Sequence, residues 1–113
     1  MTTQASKSYM LALGNPMPGL EDEFNEWYTN VHIKEAITVD GFVSAQRFKL
    51  SDTQMRDSQP YKYLAIYEIE SGREAEAIAN LKKAIPTFDM KPVVDVQNSH
   101  MMVVQSISDL LTR

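Results

Sequence analysis

One of the two histidines lies beside groups that could assist proton transfer. His32 comes four residues after Tyr28 and three before Glu35, in a segment whose apolar residues repeat at helical spacing. Residues at these separations share one flank of a helix, which would bring a phenol and a carboxylate within reach of the imidazole. An imidazole titrates near neutral pH, so we predict His32 and Tyr28 as catalytic residues. The alternative is a structural histidine that is hydrogen-bonded where the helix meets a sheet.

Polar and aromatic side chains alternate along two predicted strands. Ser44, Gln46 and Phe48 share one strand face, and Tyr61, Tyr63 and Tyr67 share another. We predict that both faces line a cleft under the first helix. Arg47 is the obvious cation for an acidic ligand, but a strand arginine is more often a solvated edge residue. On the last strand, His100 and Met102 share a face and are secondary candidates. The predicted substrate-binding residues are Phe24, Trp27, Gln46, Phe48, Tyr63, Tyr67, His100 and Met102, although aromatic residues at helical spacing, such as Phe24 and Trp27, usually belong to the hydrophobic core.

Several kinds of site lack the residues that they need. The chain contains no cysteine, which excludes disulfides, thiolate metal sites and cysteine nucleophiles. One histidine and one carboxylate fall short of the three or four ligands of an ordinary metal site, so no metal and no cofactor are expected. Neither a glycine-rich phosphate loop nor a recognisable Ser-His-Asp spacing is present.

Charge and hydropathy restrict the partners and the location. With 11 basic and 15 acidic residues the net charge is −4, which disfavours a nucleic-acid partner. The longest apolar run, residues 9–13, is far shorter than the ~20 residues of a membrane span. The polar start has no signal-peptide apolar region, so a cytoplasmic protein is expected. The length of 113 residues suits a single domain over residues 8–113, preceded by a flexible tail over residues 1–7.

Hydrophobic periodicity and turn residues predict six elements in the order βαββαβ. Asp40-Gly41 marks the turn before the second strand, and Ser71 with Glu74 resembles a capping box at the start of the second helix. Pro86 prevents that helix from continuing. The predicted strands span residues 8–13, 42–50, 61–69 and 99–107, and the predicted helices span residues 20–37 and 71–85.

This order is the split βαβ arrangement of ferredoxin-like α+β proteins. Right-handed crossovers place both helices on one face of a four-stranded antiparallel sheet. The other face would expose Val43, Leu64 and Ile66, and leaving apolar area in water costs roughly 25 cal/mol per Å². A second copy of the chain would cover this face, so we predict a homodimer in which the sheets pack together.

The segment from Glu23 to His32, followed by that from Gly41 to Phe48, resembles the dimeric α+β barrel superfamily, particularly its EthD-like members. The resemblance covers most of the chain, and its most distinctive part is Trp27 followed five residues later by His32. It implies dimers of ferredoxin-like subunits, each with a cleft between helices and sheet. Relatives often carry a proline shortly after the histidine, whereas this chain has Ile33-Lys34-Glu35, which favours a longer helix and an altered cleft rim.

The resemblance leaves the reaction open, because this superfamily includes isomerases, cyclases, monooxygenases and proteins without an assigned reaction. The first interpretation is a cofactor-free enzyme in which His32 moves a proton on a small apolar or aromatic substrate from a catabolic or polyketide-like pathway, as an isomerase, cyclase, lyase or decarboxylase. The second is a non-catalytic binding or accessory protein of a degradation pathway that uses the same cleft. A monooxygenase of the same fold is the third.

Overall fold

The computed structural model describes residues 6–113, and its elements follow the predicted βαββαβ order. The first helical segment is made of three consecutive pieces. The strands are β1 (Ser8–Gly14), β2 (Phe42–Lys49), β3 (Tyr63–Ile69) and β4 (His100–Gln105); the helices are α1 (Glu21–Trp27), a π-helical turn (Tyr28–His32), α2 (Ile33–Ala36) and α3 (Glu74–Ala84); short 3₁₀ turns span Ile85–Thr87 and Val96–Asn98.

The four strands form one antiparallel sheet in the order β2-β3-β1-β4. Side chains alternate between a buried and a half-buried face along β1 and β3, as expected when helices cover only one side of a sheet. Both helical segments pack on the same face, which confirms the predicted α+β arrangement. The core there contains Met10, Ala12, Ala65, Tyr67 and Ile69 from the sheet, Ala36 and Val39 from the end of the first helical segment, and Ala77 and Leu81 from α3.

A β-bulge in β2 changes which of its side chains face the helices. Phe42 lies opposite Ile69 and Ser44 lies opposite Glu68, so Val43 is an extra residue in the ladder. The predicted placement of Ser44, Gln46 and Phe48 on the cleft side of the sheet is therefore wrong. Because of the extra residue, Phe42, Ala45 and Arg47 face the helices, whereas Ser44, Gln46 and Phe48 lie on the open face of the sheet.

The open face carries many apolar side chains, and none of the helices within residues 6–113 covers it. Leu64 and Ile66 of β3 are half-buried there, beside Leu11 and Leu13 of β1. Phe48 and Met102 remain 40% and 37% exposed. This face has the apolar character that favours association with another surface.

The predicted capping box at the second helix is wrong. Helix α3 begins after Arg73, two residues later than predicted, and no side chain caps it. The Ser71 hydroxyl donates to the Ser6 carbonyl, and the Glu74 carboxylate accepts hydrogen bonds from Ser8 and Gln105. Since the Ser8 hydroxyl is fully buried, this bond gives a core polar group the partner it needs and joins α3 to β1 and β4.

Residues 1–5 of the predicted flexible tail, which spans residues 1–7, lie outside the described residues. At Lys7 the chain is already paired, because Lys7 and Ser106 exchange two hydrogen bonds, one of them through the Ser106 hydroxyl. Across residues 6–113, none of the helices combines the length and apolar character needed to cross a lipid bilayer.

Gly41 precedes β2 at a point where α3 passes very close. Its φ is +104°, and a Cβ there would lie 2.6 Å from the Ala77 Cβ and 3.0 Å from the Ala77 Cα. We expect Gly41→Ala to lower the free energy of unfolding by about 2 to 5 kcal/mol, from backbone strain and overpacking together. Gly19→Ala is the control: φ is +81° but no atom lies within 4 Å, so only about 1 to 2 kcal/mol of strain applies. Equal losses in chemical denaturation would contradict the close approach.

Candidate functional site

A π-helical turn interrupts the first helical segment at the two predicted catalytic residues. It spans Tyr28–His32, and the Ile33 N–H donates to the Tyr28 carbonyl five residues earlier. In an α-helix, residues five apart point about 140° away from each other, whereas a π turn brings their directions much closer together. The rings of Trp27 and His32 accordingly stack, with centroids 4.6 Å apart and planes 20° apart. The helix continues as α2 to Ala36, as the absence of a proline after His32 predicts.

Aromatic rings surround the His32 imidazole. Besides Trp27, the Tyr28 ring meets it edge-on at 5.0 Å and the Phe88 ring at 6.1 Å. The imidazole Nδ1 is buried without a hydrogen-bond partner among the described residues. Burial lowers the pKa of His32 and the Arg47 charge lowers it further, while Glu35 opposes them. The imidazole is therefore neutral at pH 7 and has the capacity to accept a proton.

Glu35 does not hydrogen-bond His32, although the sequence suggested that it would lie within reach. Both of its carboxylate oxygens accept a hydrogen bond from the Asp89 N–H, each at 3.1 Å. The Trp27 Nε1 donates to the Asp89 carbonyl at 2.7 Å. These two contacts fasten the segment that follows α3 to the first helical segment, with Phe88 against His32.

The Tyr28 and Tyr67 phenols lie next to each other under the helix. Burial raises the pKa of Tyr28, and the neighbouring Tyr67 hydroxyl and Arg47 charge oppose this only in part. Burial also raises the pKa of Tyr67 strongly. Both groups therefore stay protonated at neutral pH and are available as O–H donors.

Arg47 folds over the first helical segment, so the prediction of a solvated edge residue is wrong. It lies opposite Ala65 on the helix-facing side of β2. Its Nη1 donates to the Asn25 carbonyl at 3.3 Å and to the Thr29 hydroxyl at 2.8 Å, and its Nη2 donates to the Asn25 Oδ1 at 2.9 Å. The β2 bulge, which the alternating pattern does not show, turns this residue inward.

Three aromatic rings enclose the Arg47 guanidinium. Its central carbon lies 4.5 Å from the centroid of Tyr28, 5.3 Å from that of Phe24 and 5.4 Å from that of Tyr63. Rings at these distances attract a cation through their π faces. The Tyr63 hydroxyl donates to Glu21 at 2.6 Å and accepts from the Asn25 side chain at 3.0 Å. The guanidinium is therefore held rigidly, with its position set by α1 and β3.

A cavity of about 170 Å³ lies between the first helical segment and the sheet. Five predicted site residues line it: Phe24, Trp27, Tyr28, His32 and Tyr63. Arg47 lines it too, and so do residues that the sequence does not predict there, including Met90, Val94, Val96 and Met101. A larger groove of about 1040 Å³ beside residues 106–112 contains neither of the predicted catalytic residues.

The structure does not bring the remaining predicted binding residues into the cavity. Gln46 and Phe48 lie on the open face because of the β2 bulge. His100 and Met102 lie there too, since they pair with Leu13 and Leu11 of β1, and Met101 points to the cavity side instead. The body of Tyr67 belongs to the core and does not line the cavity. Tyr61 precedes β3 and is half-buried outside the cavity.

The described residues offer aromatic surface in this cavity, but not a metal site. Nowhere in residues 6–113 do three histidine, aspartate or glutamate side chains come together with the geometry to hold a metal ion. The rings of Phe24, Trp27 and Tyr63 instead present flat apolar surface, and Arg47, Tyr28 and His32 add a few polar groups. This composition is typical of sites for small organic ligands.

The lowered pKa of His32 makes stability depend on pH. Between the pKa of an unfolded histidine, about 6.5, and the lower folded value, the unfolded chain binds a proton that the folded chain does not. We expect the free energy of unfolding to fall as the pH decreases from 7.5 to 5.5, by less than about 1.4 kcal/mol per pH unit from this group. The paired carboxyls of Glu21 and Asp40 have pKa values below their usual range, so their effect begins at lower pH.

His32→Phe should reduce this dependence, because phenylalanine keeps the stacking and cannot bind a proton. Denaturant unfolding at several pH values compares the two proteins. Identical slopes between pH 7.5 and 5.5 would show that the His32 pKa is the same in the folded and unfolded chains.

Solved structures with the same fold were found, but no family model and no curated protein matches the sequence. An EthD family protein from Bacillus halodurans is 16% identical, with a TM-score of 0.58, over 89% of this chain and 99% of that one. A MhuD mutant with two manganese protoporphyrin IX molecules bound per active site is 15% identical, with a TM-score of 0.63, over 93% and 99%. A dimeric ferredoxin-like protein of unknown function from Jannaschia sp. is 13% identical, with a TM-score of 0.54, over 90% and 99%.

These similarities extend over nearly the whole of each chain and confirm the fold that the residue pattern suggested. The identities are too low to transfer a reaction, because the same fold supports unrelated chemistry. The protein has the ferredoxin-like α+β fold of the EthD-like and dimeric α+β barrel proteins.

Proposed function

We propose that the protein is a small-molecule enzyme that uses acid-base chemistry, with His32 as the proton-transfer group and Tyr28 as a hydrogen-bond donor. The observation that carries the proposal is that a neutral, half-buried imidazole and a protonated phenol line the same cavity. No protein group among the described residues holds the His32 Nδ1 as donor or as acceptor. The ring is therefore not committed to a structural hydrogen bond at that nitrogen.

The size of the cavity indicates the class of ligand. An engineered protein cavity of roughly 150 Å³ is known to hold benzene. The volume here, about 170 Å³, therefore suits a single ring with a small substituent. The aromatic walls favour an apolar or aromatic ligand, as the sequence analysis suggested. The MhuD neighbour binds porphyrin in its active site, which supports ligand binding by a chain of this fold.

The reaction that best uses these groups is proton abstraction next to a carbonyl. His32 removes a proton from the carbon, the C–H electron pair forms a carbon–carbon double bond, and the carbonyl π electrons move to oxygen. The Tyr28 hydroxyl donates a hydrogen bond to the resulting oxyanion. Return of the proton from His32 to a different atom completes an isomerisation, and loss of a leaving group instead completes an elimination. This sequence is common to the isomerase, cyclase and lyase classes, and no bound cofactor takes part in it.

A non-catalytic ligand-binding protein is the second candidate, and one observation favours it. Catalytic bases are usually oriented by a third group, but the Glu35 carboxylate binds the Asp89 N–H instead of His32. In that case the same cavity would hold the ligand without turning it over.

Hydrogen–deuterium exchange separates the enzyme from the binding protein without knowledge of the natural substrate. Aryl and cyclic ketones are incubated with the protein in deuterium oxide, and loss of the α-proton signal is followed by NMR. We expect the protein to accelerate exchange for at least one ketone, and His32→Gln to reduce the rate by about 10² to 10⁴. Affinity for the same ketone should change only a few-fold.

The matched control is His100→Gln, which changes the other histidine on the opposite face of the sheet. This variant should exchange protons at the rate of the unaltered protein. If ketones bind but no exchange is accelerated, the protein is a carrier. If His32→Gln exchanges at the full rate, the base is another group.

We also propose that the protein is a homodimer that buries the open face of the sheet. The uncovered apolar residues of β1, β2 and β3 support this, and the Jannaschia neighbour of the same fold is a dimer. We expect light scattering to give twice the chain mass at micromolar concentration. Ile66→Glu, at the centre of the face, should give the monomer mass because it buries an unpaired charge in the dimer. Met55→Glu, in the exposed 51–60 loop, should remain dimeric.

A further inference from the structure

Within residues 6–113, Arg47 is a half-buried cation that no carboxylate neutralises, whereas the other cations without an ion pair are exposed. Lys7 lies 3.8 Å from Glu68, Lys62 lies 3.8 Å from Glu21, and Arg73 contacts three acidic side chains at 2.7 to 2.9 Å. Across residues 6–113, no carboxylate oxygen lies within 4.0 Å of the Arg47 guanidinium. Arg47 is half-buried, so its positive charge is only partly compensated by water.

The neighbours of Arg47 do not supply a negative charge either. The pKa values of Tyr28, Tyr63 and Tyr67 are raised, so all three remain neutral phenols. The nearest acidic group in the hydrogen-bond chain is Glu21, which accepts from Tyr63 and pairs with Lys62. His32 on the other side of Tyr28 is neutral at pH 7. The cavity therefore has a local positive potential that the protein itself does not cancel.

The hydrogen bonds of Arg47 leave one side of the guanidinium open. Nη1 donates to the Asn25 carbonyl and the Thr29 hydroxyl, and Nη2 uses one N–H on the Asn25 side chain. The Nε–H and the second N–H of Nη2 have no partner within the part of the chain that the structure describes. Adjacent N–H groups of this kind match the two oxygens of a carboxylate, which they bind as a fork.

We propose that Arg47 is a substrate-binding residue that receives the carboxylate of a small ring-containing acid in this cavity. The inference rests on the proposed function, because it takes the same cavity as the ligand site and adds the chemical class of the ligand. Asn25, Thr29 and the three aromatic rings hold the guanidinium in place before the ligand arrives, so little side-chain entropy is lost on binding. The acid's ring would then contact the aromatic wall.

Benzoate and benzamide test this inference, because they have nearly the same size and shape and differ in charge. Their dissociation constants are measured by calorimetry at pH 7.5. We expect benzoate to bind at least about tenfold more tightly than benzamide, because its carboxylate accepts charge-assisted hydrogen bonds from the fixed guanidinium. Arg47→Met should reduce the preference to within about twofold, while benzamide affinity changes less than about threefold.

Two further variants separate the loss of the guanidinium fork from poor folding and from a nonspecific effect of removing an arginine. Arg47→Lys keeps the charge without the fork, so it should retain a smaller preference for benzoate even if Arg47→Met folds poorly. Arg56→Met makes the same substitution in the exposed 51–60 loop and should keep the full preference.

The outcomes separate this inference from the proposed function. Equal binding of benzoate and benzamide by the unaltered protein overturns the carboxylate inference and leaves the proton-transfer proposal standing. A benzoate preference that survives in a folded Arg47→Met variant also overturns it. Binding of neither compound, nor of any ketone, overturns both. A benzoate preference together with full exchange activity in His32→Gln supports the carboxylate site and rejects His32 as the base.

Discussion

The hydrogen bond from the Ile33 N–H to the Tyr28 carbonyl is the contact on which the site depends. It widens one turn of the first helical segment, and only a turn of that width places Trp27 and His32 in one stack. A regular α-helix would send the imidazole about 140° away from the indole. A π turn is less stable than a regular α-helical turn. Here the stacking of Trp27 on His32 and the hydrogen bond from Trp27 to the Asp89 carbonyl help to stabilise it.

The first helical segment and β2 each contain one irregularity, and the two together form the cavity wall. The π turn directs His32 toward the sheet, and the bulge at Val43 directs Arg47 toward the helix. The Tyr28 ring lies between them, 4.5 Å from the Arg47 guanidinium carbon and 5.0 Å from the His32 ring. A regular helix over a regular strand would close this space with apolar packing. The polar groups are therefore brought together by departures from ideal geometry.

These irregularities also explain which parts of the fold and of the site can be predicted from the sequence. The order of strands and helices follows from hydrophobic periodicity and turn residues. The sequence also predicts which face Phe24 and Trp27 occupy, because the helix is a regular α-helix up to position 27. Gln46 and Phe48 were assigned to the wrong face because an inserted residue reverses strand parity without changing composition. For the same reason the strand pattern favours a solvated edge position for Arg47, although an arginine suits an acidic ligand. The Trp27–His32 spacing was the one visible sign of the π turn, since five residues fit a π turn and not an α turn.

The cavity keeps a positive charge because nearby acidic residues bind other partners. Two acids of the first helical segment have other partners: Glu21 binds Tyr63 and Lys62, and Glu35 binds the Asp89 backbone. Both carboxylates therefore stabilise the frame, and neither compensates Arg47 or fixes the His32 tautomer. Pairing Arg47 and His32 with carboxylates would make the fold more stable, because buried polar groups without partners lower the free energy of unfolding. The unpaired guanidinium and imidazole are thus better explained by a ligand that completes their contacts than by packing alone.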